Sequence, residues 1–341
     1  MLKIDGGIMT TDLSHVARVA AHAESLGYDG LWSAEAGHDP YLPLAVAATA
    51  TDHCTLGTNI TVAFPRSPLV HAQIAWDLQA ASKGRFVLGL GTQVKGHNER
   101  RYSTAWTAPG PRLREMIQLI RHIWDVWQNG TKPGFAGKHY QFNLMTPFFS
   151  PAPIEWPDIP IWIAAVNPYM LTLAGELCDG VHVHPFHSER YLRDTVLPSV
   201  QAGLAKSKRT RSALTLSTSA FVMGGKDRDE IERAKGPVRQ QIAFYASTRT
   251  YAVVLEAHGW GDVCHKLNEK AAKGDWGGMG SLITDEMLAV YAVEGTWDQI
   301  PGLLKKKYGG LLDRIAFYMP MRPSDESDVF WSELIAACRR P

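Results

Sequence analysis

Apolar positions recur along this chain with a period that switches between about two and 3.6 residues. Lys3–Met9 reads as a first strand. Thr11 or Asp12 then caps a helix whose Leu13, Val16, Val19, Ala20 and Ala23 recur at helical spacing and which Gly27 ends. Asp29-Gly30 turns into a second strand, Leu31–Ala34. The same alternation predicts strands over Thr55–Val62 and Arg85–Leu90 and helices over about 40–52, 69–82 and 111–128. The last of these carries Leu113, Ile117, Ile120, Ile123, Trp124 and Trp127 along one stripe. Asn129–Pro160 then holds six prolines and little periodicity, which predicts an excursion from the regular pattern.

The beat resumes with strands Ile161–Ala165, Gly180–His184 and Leu214–Met223, separated by helices over about 169–178 and 188–206. Helical material over 227–248 leads into a second irregular region, Gly259–Gly280. Helices over 285–293 and 297–308, a strand Arg314–Tyr318 and a last helix over about 325–339 close the series. Strands and helices in this order predict an α/β fold, a (β/α)8 barrel forming one domain over 1–341. The regions 129–160 and 259–280 are its insertions, expected to fold over the barrel mouth. A dinucleotide-binding sheet would need G-x-G-x-x-G after the first strand; Asp5-Gly6-Gly7-Ile8 does not supply it.

Bulk composition narrows the class further. Hydrophobic residues make up 45% of the 341 and charged ones 20%, enough for a large core and unlike a disordered chain. A formal net charge of +1 gives no reason to expect nucleic-acid or membrane partners. Cys54, Cys178, Cys264 and Cys338 lie far apart, without zinc spacing, and read as thiols of a reducing cytoplasm. The chain opens on a strand-like segment without a secretory leader, and no apolar run approaches the roughly 20 residues of a membrane helix. A soluble cytoplasmic protein is expected.

In a barrel, chemistry gathers just after the strand C-termini. After the second strand, Glu35, His38 and Asp39 fall within five residues. They read either as acids at a helix start or as Glu35 or His38 moving a proton beside a bound ring, and a metal site lacks further ligands. After the third strand, V-A-F-P-R-S-P reads as a plain turn or as a bulge backing a planar cofactor. Thr92-Gln93 and Gly96-His97-Asn98, with Lys95, Arg100 and Arg101, suit an anionic group or form a solvated basic loop. Ala164-Ala165-Val166-Asn167 offers small side chains against which a flat ring can lie, or simple core packing. His182 and His184, two apart, face one side of their strand.

Several of these segments together resemble the bacterial luciferase-like flavin and deazaflavin oxidoreductases, in particular the branch using the deazaflavin coenzyme F420. The carriers are Ser33-Ala34-Glu35, Gly57-Thr58-Asn59-Ile60, Gly84-Arg85-Phe86-Val87-Leu88-Gly89-Leu90-Gly91-Thr92, Gly96-His97-Asn98 and Pro111-Arg112-Leu113-Arg114-Glu115. Gly137–Phe142, Pro160–Ala165 and Cys178-Asp179-Gly180-Val181 extend them, so the likeness runs from Ile4 to Phe317. It implies a luciferase-like barrel, a homodimer, and hydride transfer between F420 and a small organic substrate. A non-proline cis peptide around Asn59-Ile60-Thr61 would back the ring. Gly91, Thr92, His97 and Asn98 would contact the ribityl-phosphate side, and Ala164, Ala165, Val166 and Asn167 the opposite side. His184 and Phe186 would lie near the substrate mouth, with Trp32, Phe64, Trp106 and Phe186 forming an apolar pocket above the ring. The family's sugar-phosphate dehydrogenases carry Asp-His where this chain has Ala34-Glu35, which leaves Glu35 or His38 for the proton; their substrate-phosphate lysines and arginine have no counterpart here, which argues against a sugar phosphate. An FMN-dependent monooxygenase and a non-catalytic cofactor-binding barrel are the alternatives.

Overall fold

The computed structural model describes residues 2–9, 12–319 and 327–340. Eight parallel strands close a barrel: β1 (Lys3–Gly7), β2 (Gly30–Ser33), β3 (Thr55–Thr58), β4 (Phe86–Gly91), β5 (Ile161–Ala165), β6 (Gly180–Val183), β7 (Thr215–Gly225) and β8 (Arg314–Tyr318). Closure follows from the register. Lys3 pairs with Arg314, Ser217 with Arg314, and Thr215 with Gly180, so β8 joins β1 and β7 joins β6. The protein is an α/β barrel of the (β/α)8 type.

The expected helices form where the apolar stripe has a surface to cover. The helix Pro109–Asn129 buries Leu113, Met116, Ile117, Ile120, Ile123, Trp124 and Trp127 and stops at Gly130, whose φ of 66° is left-handed. Each fully buried aliphatic or aromatic side chain of that stripe contributes roughly 1.5–3 kcal/mol. Asp12 caps the first helix, Leu13–Ser25, by accepting from Ser14 N at 2.9 Å; Thr11, the other candidate cap, lies outside the described residues. The last helix is Asp328–Arg339, and the expected start at Asp325 also lies outside the described residues.

Four expectations need correction. The third strand does not run unbroken: Thr55–Thr58 and Thr61–Val62 are separate, and the second piece pairs with Leu90 and Gly91 of β4. Residues 285–293 are not all helix, because Asp285–Tyr291 gives way to a strand, Ala292–Thr296, that pairs with Phe221–Gly225. That ladder lets β7 run eleven residues, its lower part in the barrel and its upper part outside it. Region 259–280 is largely a helix, Gly261–Ala272, with Cys264 and Leu267 inward; its flanking glycines masked a three-turn pattern. The helix over 188–206 contains a π-turn at Leu192–Val196 just before Pro198, whose missing N–H breaks the regular ladder.

The first insertion does not cover the mouth. A segment following a barrel helix emerges at the strand N-terminal end, and this one stays on the flank. Its antiparallel pair Phe135–Ala136 and Gln141–Phe142 climbs the helix Pro109–Asn129, where Glu115 accepts from the backbone N–H groups of Lys138, His139 and Tyr140 at 3.0, 2.7 and 2.6 Å. The chain then descends until Trp156 packs beside Gly84, below β4.

Candidate functional site

Alternation and register assign the barrel's inward residues in layers. The lower layers are filled. Arg314 makes a two-pronged ion pair to Asp5, at 2.6 and 2.8 Å, and its guanidinium stands over Trp32 at 5.8 Å. Above them Trp32, Trp162 and His182 pack ring on ring, with centroids 4.8–5.0 Å apart. Two glycines make room for the indoles: a Cβ at Gly57 or Gly180 would come within 2.4 Å of Trp32 or Trp162. The next inward positions, Gly7, Ala34, Ala164, Ser219 and Ala316, are all small and at least partly open to solvent. The barrel's C-terminal end is therefore a shallow cup floored by two indoles. Trp32, expected above a bound ring, belongs to that floor.

One rim of the cup is the break in the third strand, where the peptide between Asn59 and Ile60 is cis. Asn59 N donates to Ser33 O and Glu35 N to Ile60 O, at 2.8 and 3.0 Å, so the bulge is stitched to the end of β2. The Glu35 carboxylate is nearly buried, at 6% exposure, and fully engaged. It accepts from Val62 N at 2.7 Å, Thr61 Oγ1 at 3.0 Å and Tyr102 OH at 3.1 Å, and pairs with Arg66 at 2.8 Å. Arg66 reaches on to Asp39 at 2.7 Å, and Asp39 accepts from Tyr41 N. Behind them His71 Nε2 donates to Ala63 O and Nδ1 accepts from Tyr41 OH, both at 2.8 Å. Glu35 thus holds the bulge, and His38 is exposed on the loop beyond it.

The next rim is the segment after β4. Gly91 is buried, and its missing side chain admits Ile60: a Cβ there would sit 2.6 Å from Ile60 Cδ1. Gln93 adopts a left-handed φ of 56° and its own Oε1 accepts from Val94 N. The expected polar loop is in part a short helix, Lys95–Arg100. Asn98 is fully buried and its amide nitrogen donates to Thr92 O and Val94 O at 2.9 and 3.1 Å, which braces the loop from beneath, while its Oδ1 has no partner among the described residues. Val94, Gly96, His97, Arg100 and Arg101 line an open depression here. Arg101 bonds Ala36 O, whereas Arg100 is exposed and has no ion pair among the described residues. Opposite, Asn167 Oδ1 caps the helix Pro168–Leu177 by accepting from Met170 N, and Val166 O accepts from Tyr191 OH.

The third wall rises from β6–β8. His184 stands one layer above His182, with Tyr251 and Tyr245 ring centroids 4.3 and 4.6 Å from its own. Tyr245 OH and Tyr318 OH lie 2.9 Å apart, and Phe221 packs on Tyr318. The tyrosines escaped sequence reading: only Tyr318 follows the strand alternation, while Tyr245 and Tyr251 come from the helical excursion after β7. Phe186 is buried against Tyr291 and does not reach the mouth. Phe64 is buried under Arg112, with Trp106 at its edge. The apolar pocket expected from Trp32, Phe64, Trp106 and Phe186 therefore does not assemble; these rings occupy three separate places.

Burial depresses several histidines here. His182 is held down to about 3, and His71 and His187 to about 4, so all three are neutral in the folded protein near pH 7. Unfolded, they titrate near 6.5, so below that pH the unfolded chain binds more protons and stability falls as acid is added. The loss is expected to reach about 2 kcal/mol per histidine at pH 5. Asp5, whose carboxyl burial holds above the usual range despite Arg314, acts in the opposite sense at lower pH. Urea unfolding at pH 7.5, 6 and 5 checks this; a midpoint unchanged over that range excludes it.

Comparison with known proteins places this geometry. The family model described as luciferase-like monooxygenase matches residues 2–314. The chain belongs to the luciferase-like family. Within it, an uncharacterized protein of Mycobacterium tuberculosis is 46% identical over 314 residues, 92% of each chain. The 5,10-methylenetetrahydromethanopterin reductase of Archaeoglobus fulgidus is 32% identical over 285 residues, covering 82% of this chain and 81% of that one. Among solved luciferase-like structures, the coenzyme F420-dependent tetrahydromethanopterin reductase of Methanopyrus kandleri superposes with a TM-score of 0.76 at 19% identity, over 98% and 96% of the two chains.

Proposed function

We propose that this luciferase-like protein is an F420-dependent oxidoreductase acting on a small organic molecule. The observation that carries the reading is the cup: an opening lined by small residues over an indole floor, between a cis-peptide bulge and a donor-bearing loop. A planar tricyclic ring needs that clearance, and the residues present fit it. Ala34, Asn59, Ile60 and Thr61 would back the ring on one side, Ala164, Ala165 and Val166 on the other. Thr92, Gln93, His97 and the Asn167 amide would meet the ribityl-phosphate portion. When bound, the deazaflavin supplies a hydride-exchanging carbon, chemistry no side chain here can provide. The protein's share is to position and desolvate. Relatives named as F420-dependent enzymes support this choice of coenzyme.

Arg100 and His97 favour F420 over FMN, because the deazaflavin carries a polyanionic tail beyond its phosphate. Replacing Arg100 with glutamate is expected to weaken F420 binding about tenfold in low salt, with the difference shrinking at high salt. FMN, which has no such tail, should bind more weakly and respond less. Fluorescence titrations with each pigment check this. Tighter binding of FMN, accompanied by oxygen consumption, would replace the reading with a flavin monooxygenase; saturable binding of F420 to a protein that turns over no alcohol, ketone or enone would leave a cofactor-binding barrel. A homodimer belongs to the same proposal on the family resemblance alone, and a reducing cytoplasm on four free, buried cysteines.

A further inference from the structure

The cup's rims differ in chemistry. From β2 to β5 they carry amides, an imidazole and the unpaired Arg100. From β6 to β8 the described side chains above the small inward positions are neutral rings: His184, Tyr245, Tyr251, Phe221 and Tyr318. We infer that this aromatic wall is the substrate subsite, and that it takes a neutral, planar, mostly apolar molecule whose carbonyl oxygen accepts a hydrogen bond from His184 Nε2. The inference rests on the cup being the coenzyme's site and names what binds beside it.

Four observations carry it. Phe186 N donates to His184 Nδ1 at 3.1 Å, which leaves the ring's proton on Nε2. Burial keeps this imidazole neutral, down to about 3, so near pH 7 it offers one N–H and no charge. The Tyr245 and Tyr251 rings pack directly on it, one edge-on at 4.6 Å and one tilted at 4.3 Å, which fixes the imidazole's orientation within an aromatic surface. Within the Tyr245–Tyr318 pair only one hydroxyl proton is used, so the other remains for a second acceptor.

Among the described residues, the wall offers nothing to a charged group. Two buried cations on this side are already engaged: Arg314 is paired with Asp5 beneath the indole floor, and Lys307 is bound to the carbonyls of Val290 and Ala292 at 2.8 Å. A carboxylate or phosphate against these rings would lose its hydration without gaining a partner. The same skeleton without the charge escapes that cost.

Acetophenone and 4-acetylbenzoate, identical but for one carboxylate, make the test. Their binding is measured by saturation-transfer NMR on the protein alone and after loading with F420, with F420 affinity followed separately by its own fluorescence. Acetophenone is expected to bind at least tenfold more tightly than 4-acetylbenzoate. His184→Phe should weaken it about tenfold while F420 affinity stays unchanged, and His184→Gln, which keeps an N–H donor, should retain it. Tyr251→Leu should weaken it independently of His184. Equal or tighter binding of 4-acetylbenzoate, no saturation by either probe, or His184→Phe and Tyr251→Leu without effect would each overturn the inference. Failure of F420 to bind would remove the coenzyme reading instead, and the probe titrations on the protein alone would still decide the subsite.

Discussion

Replacing Glu35 with alanine is expected to destabilise the protein by about 3 kcal/mol, because it strips one of two carboxylates from a mostly buried Arg66. The damage should be local as well as global. Val62 N, Thr61 Oγ1 and Tyr102 OH lose their common acceptor, and with it goes the tie between the Asn59–Ile60 bulge and the end of β2. F420 binding should weaken with stability, since the bulge is one side of the proposed ring site. Glu35→Gln separates positioning from proton transfer: it keeps an acceptor oxygen but cannot serve as a base. Turnover within about tenfold of the parent, alongside a lowered unfolding midpoint, is expected. A Glu35→Gln protein as stable as the parent yet slowed by about a hundredfold or more would make Glu35 the acid–base group.

Gly89→Ala should be the most damaging single-methyl change in the barrel wall. Its Cβ would lie 1.7 Å from Thr58 O and 3.1 Å from His182 Nε2, in the layer just above the indole floor. The Thr58 hydroxyl already bridges both main-chain groups of Gly89, donating to its O at 2.7 Å and accepting from its N at 2.9 Å, so β3 has no slack to move away. A loss of at least about 3 kcal/mol, or failure to give soluble protein, is expected. Gly37→Ala is the control, since no atom lies within 4 Å of its would-be Cβ. Thermal melts of the two variants decide the matter; equal midpoints would mean that β3 and β4 can separate freely.

Most of the barrel was legible because its strands are short branched-residue runs set between long amphipathic helices, and each signal is local. Where the pattern failed, a non-local contact decided. Ala292–Thr296 becomes strand only because the upper half of β7 offers it a free edge. The rim from Ser33 to Asn167 was readable since its residues follow strand ends directly. Even so, the roles differ from those that residue types suggested: Glu35 ties the bulge to Arg66 and Tyr102, Asn98 donates to two loop carbonyls, and Gly91 accommodates Ile60. The resemblance puts Phe186 near the mouth, and Phe64 is expected in a pocket above the ring; past a strand's end alternation no longer fixes direction, and both turn into the core. Tyr245 and Tyr251 lie 61 and 67 positions beyond His184, at a distance in sequence that no spacing rule spans.

The eleven-residue β7 has a bearing on how this scaffold diversifies. His184 and Tyr318 are rooted in the closed cylinder, but Tyr245 and Tyr251 hang from the chain between β7 and its outrigger partner at 292–296. One half of the aromatic wall is thus fixed by the barrel and the other by a graft anchored at two points of a single ladder. Under the proposed assignment, exchanging residues 226–291 for another family member's is expected to change which substrate binds while leaving the proposed coenzyme site intact.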